Sequence, residues 1–211
     1  FRQFIEVRDA QAGERAIVSA LQAGADDKQI ADMLFAAATD HRYLDAGHTL
    51  DFINKALESV DKAGWDYADL AFTSVVPNLT NSQRMEESNA WRKPIDLIEI
   101  LHDAFAKLEQ AVADGKAKSA KPDFDADVAI LLDDNPQAII DELLDLLRDG
   151  VSMADLAGVV VYAAARRIAH FHTSNEFNDW DTALHTFTFA NAVHQGLQRI
   201  DSMELLRGVF D

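Results

Sequence analysis

HTLDFIN at 48–54 and HTFTFAN at 185–191 decide how this chain is read. His, Thr, Phe and Asn are identical in the two, at an offset of 137 residues. A longer apolar match precedes them at an offset of 126. There Ile17, Val18 and Leu21 fall on Leu143, Leu144 and Leu147, Ile30 falls on Leu156, and Ala37 and Ala38 fall on Ala163 and Ala164. Gly24 falls on Gly150, and the match resumes at the larger offset after the insertion TSNEFNDWD at 173–181. Ordered matches of this kind mark an internal repeat. The reading is an all-α, duplicated helical bundle with two pseudo-symmetric halves, 1–113 and 128–211, packed as one domain. Residues 114–127, DGKAKSAKPDFDAD, read as the linker, being polar, containing Gly and Pro, and lacking an apolar stripe.

Helical periodicity extends through most of the chain. It predicts helices over 10–23, 27–43, 47–63, 95–113, 136–149, 153–171, 180–200 and 202–210, with further helix in parts of 2–8 and 66–76. Asn135-Pro136 supplies an N-cap followed by an N1 proline. Ser152 caps the next helix, and Asp26 or Asp27 caps its counterpart. Gly24 and Gly150 stand where helix C-termini end. Hydrophobic residues make up 48% of the chain, enough for a substantial core, and four Pro and nine Gly favour long regular elements.

Composition excludes several functions. Nineteen basic residues against 36 acidic ones give a formal charge of -17, a surface that repels phosphate backbones and anionic membranes. The absence of cysteine removes disulfides, thiol catalysis and thiolate-held iron–sulfur clusters from this chain. It suits a reducing cytoplasm, the expected location. No run reaches the roughly 18 apolar residues of a membrane span, and no signal peptide is visible. The chain starts at Phe1 rather than Met, which reads as a fragment, a processed form or the ordered part of something longer.

The histidines are the chemistry-bearing residues. At about 100° per residue, His48 shares a side with Phe52, Ala56 and Val60, while Asn54 and Glu58 face the other way. His185 shares a buried side with Phe189, Val193 and Gly196, with Asn191 opposite. His194 lies on the other margin of that stripe. His41 lies on the apolar face of Ile30, Leu34 and Ala38. If the helix continues through Gly47, His41, Asp45 and His48 form one row, H-x-x-x-D-x-x-H. His172 joins the arc of Val161, Ala165 and Ile168. Imidazoles and carboxylates converging from several helices suit iron, manganese or zinc. The expected site is a metal ion, iron first, held by His48 and His185, with His41, Asp45, His172 and His194 as further ligands or supports. That makes a metal-dependent, non-haem iron oxidoreductase domain the leading function.

The bland alternative is a helical scaffold or docking module for a redox partner, its histidines satisfied by hydrogen bonds. Asp45 would then hold His48 or His41, and Asp181 would hold His185. A haem-binding helical protein is a further alternative, though c-type attachment needs cysteine. Glu99 and His102 form an E-x-x-H, but His102 lies only at the edge of the stripe of Ile98, Leu101, Phe105 and Leu108, and Glu99 points further out. Trp65, Tyr67, Phe72 and Trp91 suit a pocket wall or, more commonly, core. No nucleophile elbow, P-loop or dinucleotide fingerprint is present.

The segments DHRYLDAGHTLDFINKALESVDKAGW at 40–65, EESNAWRKPIDL at 87–98 and FHTSNEFNDWDTALHTFTFANAVHQGL at 171–197 resemble a His-rich helical region of bacterial Rieske-type 2Fe–2S proteins. The resemblance covers most of the chain. It implies a redox setting with a redox partner protein or Rieske domain, and carries over His41, His48, His172, His185 and His194 as motif histidines. A Rieske centre needs two cysteines beside two histidines, so this chain would be the helical partner region or a relative without the cluster domain. A homo-oligomer is left open.

Overall fold

Asp9 and Asn135 each offer a side-chain oxygen to an N–H of the following turn, and a 13-residue helix follows each cap. The same capping recurs at Asp26, Asp96, Asp123, Ser152 and Ser202. In a computed structural model describing residues 1–211, the chain forms eleven α-helices and no strand. They are α1 (Arg2–Glu6), α2 (Ala10–Gln22), α3 (Asp27–Thr39), α4 (His48–Ala63), α5 (Ala68–Asn81) and α6 (Leu97–Gly115). After a connection come α7 (Phe124–Leu131), α8 (Pro136–Arg148), α9 (Met153–Ala169), α10 (Phe177–Arg199) and α11 (Met203–Phe210).

Elements matched by the sequence offset share cap positions and turns, although α3 has 13 residues and α9 has 17. α2 and α8 are both 13 residues long. Asp26 and Ser152 cap α3 and α9 by accepting from Gln29 and Asp155 N–H groups. Gly24 and Gly150 turn the chain with φ of 85° and 87°. α4 packs against α5 and α10, α9 lies along α10, α6 pairs with α8, and α11 packs on α3 and α10. One apolar core draws on both sides of the connection, from Ile17, Leu34 and Phe35 to Leu143, Leu156 and Phe189. Phe35 and Phe72 are fully buried, each contributing about 1.5–3 kcal/mol of apolar transfer energy.

The structure corrects several boundaries. α3 stops at Thr39, not residue 43. Tyr43, Asp45, Ala46 and Gly47 then adopt left-handed φ values of 42°, 51°, 51° and 91°. The corner is tied to the 83–86 segment: the Asp45 N–H donates to the Gln83 carbonyl at 2.9 Å and the Met85 N–H to the Arg42 carbonyl at 3.2 Å. A helix cannot pass through such a corner, so His41, Asp45 and His48 do not form a helical row. α9 ends at Ala169, leaving His172 beyond it. α10 starts at Phe177, inside the insertion. α7 occupies the end of the predicted linker, whose remaining residues are anchored by the Lys118 ammonium on the Arg148 carbonyl at 2.6 Å. No helix is long and apolar enough to cross a membrane.

Candidate functional site

α4 begins at His48, whereas α10 carries His185 in its interior, and the packing of these helices brings the two imidazoles together. Their ring centroids lie 4.0 Å apart with planes tilted by 48°. His48 Nδ1 lies 2.7 Å from the Asp45 carbonyl oxygen, and His185 Nε2 lies 3.2 Å from Asp181 Oδ1, one turn earlier on α10. Asp51, one turn after His48, has its carboxyl pushed up by burial, an effect opposed by Lys55 and by the two histidines. Its spacing from His48 was the signal that could have included it among the site residues.

The other predicted ligands are elsewhere. His41 is buried, but both ring nitrogens face carboxylates: Nδ1 lies 2.7 Å from Glu86 and Nε2 2.9 Å from Glu6. Burial pushes the Glu86 carboxyl up, but hydrogen bonds from His41 and the Arg42 N–H outweigh it and leave the group below the ordinary range. His172 is exposed and bonded locally to Ser174, not part of an apolar arc. His194 lies 3.0 Å from the Gln198 amide nitrogen and packs over Gly158 of α9. Burial lowers its pKa, against the opposing pull of Asp155. Asp45 is exposed and contributes its backbone, not its carboxylate. Glu99 and His102 are both exposed. No three histidine or carboxylate side chains converge as a metal ion demands.

The phase of α4 also differs from the expectation. Its buried stripe is Leu50, Ile53, Leu57 and Val60. Phe52 is therefore 46% exposed, while Asn54 is 3% exposed and donates to Glu58 at 2.8 Å. α4 lies between α5 and α10 and is covered on two sides. A one-stripe reading of the helix misses that second covered side.

A cleft that shares α10 with the histidine pair was not predicted. It has a volume of about 690 Å³ and is lined mainly by apolar side chains of α8, α9, α10 and α11. Tyr43 and Trp91 close one end, with ring centroids 5.9 Å apart. Phe189 meets Tyr43 edge-on at 5.0 Å. Burial raises the Tyr43 phenol pKa, an effect reduced by its hydrogen bond with Thr186. Thr182, Thr186 and Arg167 are exposed, so this side opens to solvent. Of the four aromatics singled out in the sequence, Trp91 lines the cleft, whereas Trp65 packs on buried Phe72 and Tyr67 is exposed.

Charge in the cleft is sparse and specific. Arg42 is buried and donates to Asp211 at 2.8 Å. Its guanidinium also lies 4.5 Å from the centroid of the Phe105 ring. Burial pushes the Asp211 carboxyl up to about 7 despite Arg42. Asp179 accepts from the Glu176 N–H at 3.2 Å as part of the α10 cap. Arg167 has neither an ion-pair nor a hydrogen-bond partner, although it lines the same space. Such a cleft can hold an apolar body and orient it by a few polar groups. Comparisons with family models, curated proteins and solved structures give no significant match.

Proposed function

We propose that this domain binds a small, predominantly apolar molecule in the cleft between α8, α9, α10 and α11. The observation that carries this reading is an apolar volume of about 690 Å³ with one solvent-facing side and few charges. That size falls within the roughly 300–1,000 Å³ common to small-molecule sites. Nile red, an uncharged solvent-sensitive dye, tests it. The expected result is a blue-shifted, saturable emission with one dye per chain. Ala183→Trp, which fills part of the lining from a half-exposed position, abolishes it while circular dichroism stays unchanged. Equal dye binding by the wild type and Ala183→Trp would sink the reading.

A second reading, the metal-dependent oxidoreductase, draws support from the His48–His185 pair alone. The Nδ1 of His48 is occupied by a backbone carbonyl, which leaves Nε2 as its ligating atom. A third donor would have to come from Asp181 or Asp51 by a change of side-chain rotamer. Two imidazoles and a carboxylate are a donor set suited to non-haem iron. Stoichiometric iron, or a rise in melting temperature with Co(II) that is lost in His48→Ala and His185→Ala, is the expected outcome. A metal-free protein insensitive to Fe(II), Mn(II), Co(II) and Zn(II) removes this reading.

A further inference from the structure

The cleft has a charge asymmetry that identifies the class of ligand. Acidic residues outnumber basic ones nearly two to one, so an unpaired guanidinium is unusual here. Nine of the eleven arginines have a carboxylate within ion-pair range, leaving Arg15 and Arg167. Arg166, its neighbour on α9, turns away toward Asp125 at 3.8 Å. Arg167 lines the cleft instead. The two carboxylates in the same lining are engaged: Asp211 by Arg42 at 2.8 Å and Asp179 by the Glu176 N–H at 3.2 Å. Arg167 is thus the one charged side chain of the lining with neither an ion-pair nor a hydrogen-bond partner.

Resting on the cleft reading, we propose that the ligand is an amphiphile with one terminal carboxylate, its apolar body against Val160, Ala163, Ala164 and Phe189 and its carboxylate on Arg167. A guanidinium presents two parallel N–H donors to a carboxylate, a stronger and more directional contact than one between neutral groups. Thr182 and Thr186 lie on the same lining, but their hydroxyls donate to the Asn178 and Thr182 carbonyls at 2.9 Å, which leaves the guanidinium to hold the carboxylate. The long stem of Arg167 can follow the apolar wall while its head stays in water, so the head marks the mouth and the body occupies the interior. A cationic amphiphile would meet Arg167 as a like charge. An uncharged one would leave it without a counter-ion.

The test is displacement of bound Nile red by decanoate, decan-1-ol and decyltrimethylammonium, which share a chain and differ in the head. Decanoate is expected to compete at least tenfold better than the other two. Arg167→Gln removes that advantage and leaves competition by decan-1-ol unchanged, whereas Arg167→Lys keeps part of it. Equal competition by decanoate and decan-1-ol, or stronger competition by the ammonium, overturns the assignment of the head group and leaves the cleft in place. Absence of Nile red binding overturns the cleft itself. An Arg167→Gln protein that discriminates as the wild type does would show that another group holds the carboxylate.

Discussion

The chain makes the step from α3 to α4 and the step from α9 to α10 in opposite ways. The first is a tight corner of eight residues between Thr39 and His48, four of them left-handed, with His41, Arg42, Leu44 and Gly47 buried. The second is a looser passage in which His170, His172, Thr173 and Ser174 are all exposed. The two histidines of the pair nevertheless come out side by side. In the first case the corner places His48 at the very start of its helix. In the second, α10 starts at Phe177 and adds about two turns before His185, which supply Asp179, Thr182 and Ala183 to the cleft. The insertion gives α10 the wall of a cavity that α4, starting at its histidine, does not form. One step is built for position and the other for space, and substitutions in the two should differ sharply in cost.

Arg42→Met breaks the corner most severely. It leaves Asp211 buried without its guanidinium partner. Removing one partner of a buried pair costs about 3–5 kcal/mol, read by urea denaturation. The loss is pH-dependent. The folded-state pKa of Asp211, about 7, lies above its ordinary 3.8, so the folded chain holds a proton that the unfolded chain releases. The stability contribution of this group therefore falls as pH rises from about 4 to 7. Arg42→Met should be most damaging at pH 8 and milder at pH 5, where Asp211 is neutral. Asp211→Asn should flatten that window. An Arg42→Met protein with the same loss at both pH values would show that the guanidinium acts through Phe105 and the Thr39 carbonyl, to which it also donates, and not through Asp211.

Gly47→Ala comes next. The residue has φ of 91°, and an added Cβ would sit 2.9 Å from Phe189 Cβ and 3.1 Å from the Tyr43 ring. The left-handed backbone costs roughly 1–2 kcal/mol and the crowding about 1–3 kcal/mol, so a loss of about 2–5 kcal/mol is expected. Gly24→Ala is the control. Its φ is 85°, but nothing lies within 4 Å, so only the backbone cost applies. Equal losses at the two positions would mean that close packing of the corner on α10 does not matter.

These two substitutions also mark where the sequence was readable. Caps, C-terminal glycines and apolar spacing depend on neighbours within four residues, so α2, α3, α8 and α9 start as their residues predict. The meeting of His48 and His185 was anticipated from their matching places in two similar segments. The corner was not, because Tyr43 and Ala46 disfavour left-handed backbone and a single Asp45 is only a weak signal for it. It is maintained by tertiary hydrogen bonds to Gln83, Met85 and Glu86, about 40 residues away. Missing the corner then put His41 on a helix face with His48, whereas Glu6 and Glu86 hold it elsewhere. The cleft was hidden for a related reason. Its walls combine Val160 and ordinary alanines of α9 with threonines of α10, and only their packing with α8 and α11 encloses a volume between them.

The smallest effect tests whether the corner stores strain. Ala46 has φ of 51° and ψ of 35°, in the left-handed region, where a Cβ costs roughly 1–2 kcal/mol. Glycine relieves that contact but gives the unfolded chain more freedom, a penalty of about 0.4–1 kcal/mol. The difference predicts that Ala46→Gly is neutral or stabilising by up to about 1 kcal/mol, although glycine in most structured positions destabilises. His172→Ala, in the exposed second passage, should stay within about 0.5 kcal/mol of the wild type. The informative outcome is the sign at Ala46, measured by denaturation at constant pH. A gain, with an unchanged His48–His185 environment in the imidazole NMR signals, shows a corner held under strain by its tertiary bonds. A clear loss would mean that the left-handed residues cost nothing there, and the contrast between the two steps would reduce to burial alone.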